Sequence, residues 1–160
     1  VIVLGIDPGS IKTGFGVLSV ERRRMEPVEF GVIRTASGEE MSSRLCRIFE
    51  GIAEVIDRHH PGEAAIEKVF HGARAQNFDS TLKLGQARGV ALLALARAGL
   101  PIGEYAPADV KKSIAGHGRA EKWQMQKMIE TLLRLDKPPA EDAADALALA
   151  LCHAFRKGLI

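Results

Sequence analysis

Residues 1–10 read VIVLGIDPGS, an apolar run from Val1 to Ile6 closed by Asp7 and a Pro8-Gly9 turn signal. A run without polar alternation describes a strand covered on both faces, as in the parallel part of an α/β sheet. Two more β-like runs follow, Gly14 to Val20 and Val28 to Arg34, separated by glycines and charged residues. Their close spacing predicts hairpin pairing, so the chain opens as a meander.

Beyond residue 40 the periodicity changes. Met41, Leu45, Ile48, Phe49, Ile52, Val55 and Ile56 recur at three- and four-residue spacing, the mark of an amphipathic helix. Pro61-Gly62 stops it, and Ala64 to Val69 reads as a short buried strand. A polar loop over 70–79 precedes a helix from Ser80 to Ala98, with Asp79 or Ser80 as N-cap and Gly99 and Pro101 as its stop. Ile102 to Tyr105 makes a fifth strand. Helices are expected over Pro107–Ile114 and Glu121–Leu133, with the flexible Ala115-Gly116-His117-Gly118 between them. Pro138-Pro139 leads into a last helix, Ala140 to Phe155, whose C-terminal end carries Arg156, Lys157 and Gly158 as dipole and capping preferences favour. The predicted fold is α/β: a five-stranded mixed sheet flanked by helices, its first three strands an antiparallel meander. Strands one, four and five are expected to be parallel and central.

With no internal repeat, low-complexity tract or linker, residues 1–160 are expected to form a single domain. Hydrophobic residues at 46% and charged residues at 26% are ordinary for a soluble globular protein. No apolar stretch is long enough to span a bilayer, and the N-terminus lacks the order of a signal peptide, so a cytoplasmic location is expected. Cys46 and Cys152 are lone cysteines in amphipathic segments and read as two small buried hydrophobes in a reducing compartment. The net charge of +2 conceals an asymmetry. Residues 68–127 hold ten Lys or Arg against four Asp or Glu. Such a basic half suits a polyanion.

Four carboxylates interrupt apolar segments: Asp7 after the first strand, Glu67 on the fourth, and Asp142 and Asp145 in the alanine- and leucine-rich last helix. Each has an ordinary explanation. Asp7 could form a turn before Pro-Gly, or open a phosphate-clasping loop of the actin and sugar-kinase type. Glu67 could face solvent opposite Ile66 and Lys68. Asp142 could be a first-turn residue favoured by the helix dipole; Asp145 lies deeper and lacks that excuse. Asp142 and Asp145, three apart, leave the same helix face, and a parallel strand beside the first would bring Glu67 next to Asp7. Carboxylates in such settings need a partner, and no run of Lys or Arg interleaves these segments. A divalent metal is the simplest counter-charge. All-oxygen ligation, with no Cys or His at metal spacing, selects Mg²⁺ or Mn²⁺ over Zn²⁺. Four carboxylates suffice for two ions, one activating water and one stabilising a leaving 3′ oxygen in phosphodiester hydrolysis. Of the histidines, His59 and His60 read as solvated, His71 and His117 as loop residues within reach of substrate, and His153 as a helix-face residue.

Five stretches, GIDPGS (5–10), IEKVF (66–70), LKLGQARG (82–89), EYAPADVKKSIAGHGRAEK (104–122) and DAADALALAL (142–151), closely resemble RuvC, the bacterial Holliday-junction resolvase family. The resemblance runs over essentially the whole chain. It implies an RNase H-like fold and a homodimer that symmetrically nicks two opposing strands of a four-way DNA junction. It also implies dependence on a divalent metal, usually Mg²⁺, and work alongside the RuvA–RuvB branch-migration complex in recombination and repair. Carried over motif by motif, the catalytic and metal-binding tetrad falls on Asp7, Glu67, Asp142 and Asp145. Phe70 matches the aromatic that stacks on a base at the opened crossover. Lys111 and Lys122 match basic residues assigned to scissile-phosphate and backbone contact. The LGQARG helix resembles the dimer-forming helix.

Two features depart from the family pattern. The stretch HGARAQNFDST (71–81) is slightly longer and adds an aromatic, Phe78, and the chain ends soon after the last helix. Three rivals stand beside the junction nuclease. A phosphotransferase of the actin type would need a second domain, a related RNase H-like nuclease would process ribosomal RNA, and a junction-binding protein would lack catalysis.

Overall fold

The computed structural model describes residues 1–22, 24–68 and 77–160. Among them, strands β1 (Ile2–Asp7), β2 (Lys12–Glu21), β3 (Arg24–Arg34), β4 (Glu63–Glu67) and β5 (Ile102–Tyr105) form one sheet in the order β3-β2-β1-β4-β5. β1, β2 and β3 pair antiparallel, whereas β4 joins β1, and β5 joins β4, in parallel. The helices are α1 (Met41–His59), α2 (Phe78–Arg97), α3 (Pro107–Ala115), α4 (Lys122–Leu132) and α5 (Glu141–Arg156).

The expected mixed sheet is therefore present, with one correction: β5 is an edge strand, not a central one. It pairs with β4 on one side only, because the chain leaves β5 directly for α3 and, among the described residues, supplies no further strand. A second correction concerns α2. Its N-cap is Asn77, whose side chain accepts from the Ser80 amide at 2.8 Å, and Asp79 lies within the first turn. β3 also starts earlier than its apolar run, at Arg24, because edge pairing with β2 extends beyond the hydrophobic residues.

Strand alternation divides the core in two. Leu4, Ile6, Phe15, Val17, Ala64 and Ile66 pack with α1 and α2 on one face. Val3, Leu18, Val20 and Ala65 pack with α3, α4 and α5 on the other. A strand period of two then assigns Gly5 and Asp7, like Val3, and Glu63 and Glu67, like Ala65, to the α5 face.

Helix α5 crosses that face at close range. A Cβ on Gly5 would collide with the Ala146 carbonyl oxygen and stand 2.9 Å from the Ala150 nitrogen; one on Gly14 would collide with the Asp142 carbonyl oxygen. The missing side chains open a track into which the alanine-rich helix settles, and residues 146–152 are all buried. At its far end, buried His153 lies between two partners. Its Nε2 is 2.6 Å from Glu63 Oε2 and its Nδ1 2.9 Å from the Tyr105 hydroxyl. A carboxylate can only accept, so Nε2 carries the proton there, and the hydroxyl is placed to donate to Nδ1. The residue read from sequence as a helix-face histidine is thus a buried tether between α5, β4 and β5.

Candidate active site

Asp7 is the last residue of β1 and is 5% exposed. Register places it opposite Gly14 on β2. On the other side Ile6 pairs with Ile66, so the next residues along the two parallel strands are Asp7 and Glu67. Neighbouring strands lie about 4.8 Å apart, and strand alternation puts both side chains on the α5 face. Helix α5 brings the second pair. Asp142 is in its first turn, stabilised there by the helix dipole, directly over Gly14, whose missing Cβ makes room for it. Asp145 follows one turn on.

A cavity of about 170 Å³ opens at this point, and Asp7, Glu67, Asp145, Lys111 and Lys122 all line it. Pro107, Val110, Met125, Ala148 and Leu149 supply its apolar wall. Asp142 stands at Gly14 rather than among the lining residues. Three of the four expected carboxylates thus share one opening with both expected lysines. Among the described residues, no group of three or more Asp, Glu, His or Cys side chains is already gathered as a metal-ligand set. The sequence showed no run of Lys or Arg interleaved with the carboxylate segments. The fold nevertheless brings two lysines to them from α3 and α4.

Phe70, expected to stack on a base, and His71 lie outside the described residues. Lys111 is half-buried, whereas Lys122 is exposed and its ammonium pairs with Glu141, the neighbour of Asp142.

Several supporting residues escaped the sequence reading. Arg88 on α2 donates from Nε to the Glu67 carbonyl at 3.0 Å, and its Nη2 pairs with Glu104 on β5. The loop after Asp7 is held through its carbonyls. Ser10 accepts from Thr35 Oγ1 at 2.6 Å and from buried Arg44 at 2.8 and 3.1 Å, and Gly9 accepts from Thr13 Oγ1 at 2.8 Å. The Gly9 amide is turned to the Thr13 hydroxyl at 3.4 Å, which speaks against a phosphate clasp. Arg88 stood in the quoted LGQARG stretch, but nothing local distinguishes a clamping arginine from a solvated one.

Two smaller expectations need correction. Cys46 is exposed, with its thiol donating to Glu50 Oε1 at 3.3 Å and held above the usual thiol range by that carboxylate. Only Cys152 of the pair is buried; burial raises its pKa, and it donates to Ser113 Oγ at 3.3 Å. His59 is not solvated, since its ring bonds to Glu29. No helix among the described residues is long and apolar enough to cross a membrane.

Comparison with known proteins identifies the family. Residues 3–153 match the family model for the crossover junction endodeoxyribonuclease RuvC. The RuvC of Saccharophagus degradans is 53% identical over 152 residues, 95% of this chain and 86% of that protein. That of Citrifermentans bemidjiense is 48% identical over 158 residues, 99% and 94% of the two chains. Among solved structures, T. thermophilus RuvC in complex with a Holliday junction substrate superposes with a TM-score of 0.90 at 35% identity, covering 98% of this chain and 94% of that one. The yeast mitochondrial Holliday junction resolvase Ydc2 shares the fold, with a TM-score of 0.71 at 14% identity, covering 98% and 79%.

Proposed function

This chain belongs to the RuvC family of crossover junction endodeoxyribonucleases, and on that premise we propose that it resolves Holliday junctions by nicking two opposing strands. The observation that carries the mechanism is the shared cavity, where Asp7, Glu67 and Asp145 meet Lys111 and Lys122.

The donor set fits a hard divalent cation, because every candidate ligand is a carboxylate oxygen. When bound, Mg²⁺ or Mn²⁺, two ions per site in this proposal, would acidify the attacking water and stabilise the leaving 3′ oxygen. Asp7, Glu67, Asp142 and Asp145 are the residues to hold them. Asp7 is the fixed member, since β1 is paired on both sides. Asp142 and Asp145 arrive together on α5, whose approach is set by Gly5 and Gly14. With the backbones so positioned, side-chain rotation is what would gather the carboxylates. Lys111 and Lys122 orient the scissile strand through its phosphates. Phe70 stacks on an unpaired base at the crossover; this assignment rests on the family resemblance.

Symmetrical nicking requires two active sites, hence a homodimer. The outward side of α2 supports that role. Phe78, Leu82 and Leu93 are exposed there, and a Cβ on Gly85 or Gly89 would meet nothing within 4 Å. Work with RuvA–RuvB in recombination and DNA repair, in the bacterial cytoplasm, completes the proposal, as does a single nuclease domain over residues 1–160.

A gel assay tests it. Four-way, duplex and flap DNA are each incubated with Mg²⁺, Ca²⁺ or chelator, using wild type and Asp7→Asn. The expected outcome is cleavage of the four-way substrate alone, with Mg²⁺ and wild type only, while Asp7→Asn still shifts the junction. Junction binding without Mg²⁺-dependent cleavage would leave a binding protein. Unchanged cleavage by Asp7→Asn would refute the carboxylate assignment, and preferential cutting of structured RNA would favour the ribosomal-RNA rival.

A further inference from the structure

We propose that Trp123 is a stacking platform for a nucleobase of the DNA strand beside the catalytic cavity, a contact separate from the carboxylates and the two cavity lysines. The proposal rests on the junction-binding reading above. Trp123 is the chain's sole tryptophan, in the first turn of α4, and it is 63% exposed. The helix is seated by other residues, since Met125 and Ile129 are buried on its inner side. An indole this open contributes little to the core, and leaving so large an apolar surface in water is unfavourable.

Its placement indicates an occupant. Lys122, the preceding residue, lines the catalytic cavity, as does Met125 two positions on. The indole Nε1–H donates to Glu121 Oε2 at 2.7 Å, which uses its single polar group and fixes the ring. What remains available is the π-surface, suited to stacking rather than to hydrogen-bond readout. Lys127 lies four residues after Trp123 on the same face of α4, Arg119 lies in the turn just before the helix, and Lys111 and Lys112 lie on α3. Glu141 pairs with Lys122, Glu130 with Lys127 at 3.1 Å, and Glu121 accepts from Trp123 itself, so Arg119, Lys111 and Lys112 supply the positive charge beyond these pairs. A polyanion carrying flat aromatic bases satisfies this combination of positive charge and exposed ring. A protein partner would be met here by an apolar residue within a largely basic surface, so nucleic acid is the favoured occupant.

Because no other tryptophan contributes, intrinsic fluorescence reports on this one ring. A four-way junction is titrated into the protein in chelator, so that nothing is cut, and Trp emission is followed alongside the anisotropy of labelled junction. Saturable quenching is expected with the same midpoint as the anisotropy. Trp123→Ala should weaken junction binding about tenfold with an unchanged thermal midpoint, and Trp123→Phe should restore most of the affinity. Anisotropy that reports binding while emission stays constant would overturn the contact, as would quenching with Trp123→Ala binding at full strength. Emission that ignores DNA but shifts with protein concentration would mark a protein-contact surface instead, which also overturns it. Absence of any anisotropy change would fail the junction-binding reading itself, a distinct result.

Discussion

Arg88 on α2 donates its Nε–H to the backbone carbonyl of Glu67, 3.0 Å away, while its Nη2 pairs with Glu104 on β5. One guanidinium therefore ties the end of β4 to the helix proposed as the dimer interface. Glu67 ends β4, beyond the last β1–β4 pair at Ile66 and paired only with Tyr105 on β5, so the arginine is a second anchor for its aim.

Arg88→Ala should reduce the single-turnover cleavage rate about 10- to 100-fold, the scale of a catalytic group displaced by about 1 Å. Junction affinity in chelator should stay within about twofold, because the arginine is turned inward. Arg88→Lys should recover only part of the rate, since an ammonium cannot reproduce the two-armed geometry. A rate unchanged in Arg88→Ala would show that Glu67 is aimed without it.

Gly5→Ala tests the seating of α5. The added methyl would collide with the Ala146 carbonyl, backbone that cannot rotate away, so the helix must shift. The expected cost is about 1–3 kcal/mol or more, read as a lower urea midpoint, with cleavage lost even where the protein stays folded. Gly38→Ala, where a Cβ meets nothing within 4 Å, is the control and should leave both unchanged. Full activity in Gly5→Ala would show that α5 can retreat without disturbing Asp142 and Asp145.

Lys122→Ala should weaken junction binding and lower the slope of log affinity against log salt by about one. Glu141→Gln removes the carboxylate that pairs with this ammonium and should keep the wild-type slope. An unaltered slope in Lys122→Ala would remove that lysine from the phosphate contacts.

Glu29 on β3 accepts from His59 and Arg58 at the end of α1, and these two partners, His59 first, hold its carboxyl below the ordinary value of 4.5. A carboxyl depressed in the folded state stabilises above its unfolded pKa, and that contribution is lost as pH falls through the folded value. Glu29→Gln should therefore be less stable than wild type at pH 7, by no more than about 1 kcal/mol given the exposure of the pair. The difference should shrink as the pH falls toward the folded-state value, as urea melts at pH 7 and pH 3 would show. A gap that did not narrow at all between pH 7 and pH 3 would point to lost packing rather than lost charge pairing.

The sequence by itself determined the elements and the chemistry they carry. Val1 to Ile6 reads as a strand covered on both faces, the 41–56 periodicity as an amphipathic helix, and the four carboxylates as polar interruptions of apolar segments, each with an ordinary alternative. These are local properties, set by side-chain period and by the cost of burying charge, and a single segment expresses them. Tertiary structure alone decided which segments became neighbours. The edge position of β5, the arrival of Lys111 and Lys122 at the carboxylates and the Arg88 clamp all depend on long-range pairing between elements that are individually indifferent to one another. The choice of Asn77 over Asp79 as cap likewise turned on backbone geometry that Asn77, Asp79 and Ser80 could each have supplied. Even the approach of α5 had its cause in glycines of other segments, whose missing Cβ atoms acquire meaning only when a helix is laid across them.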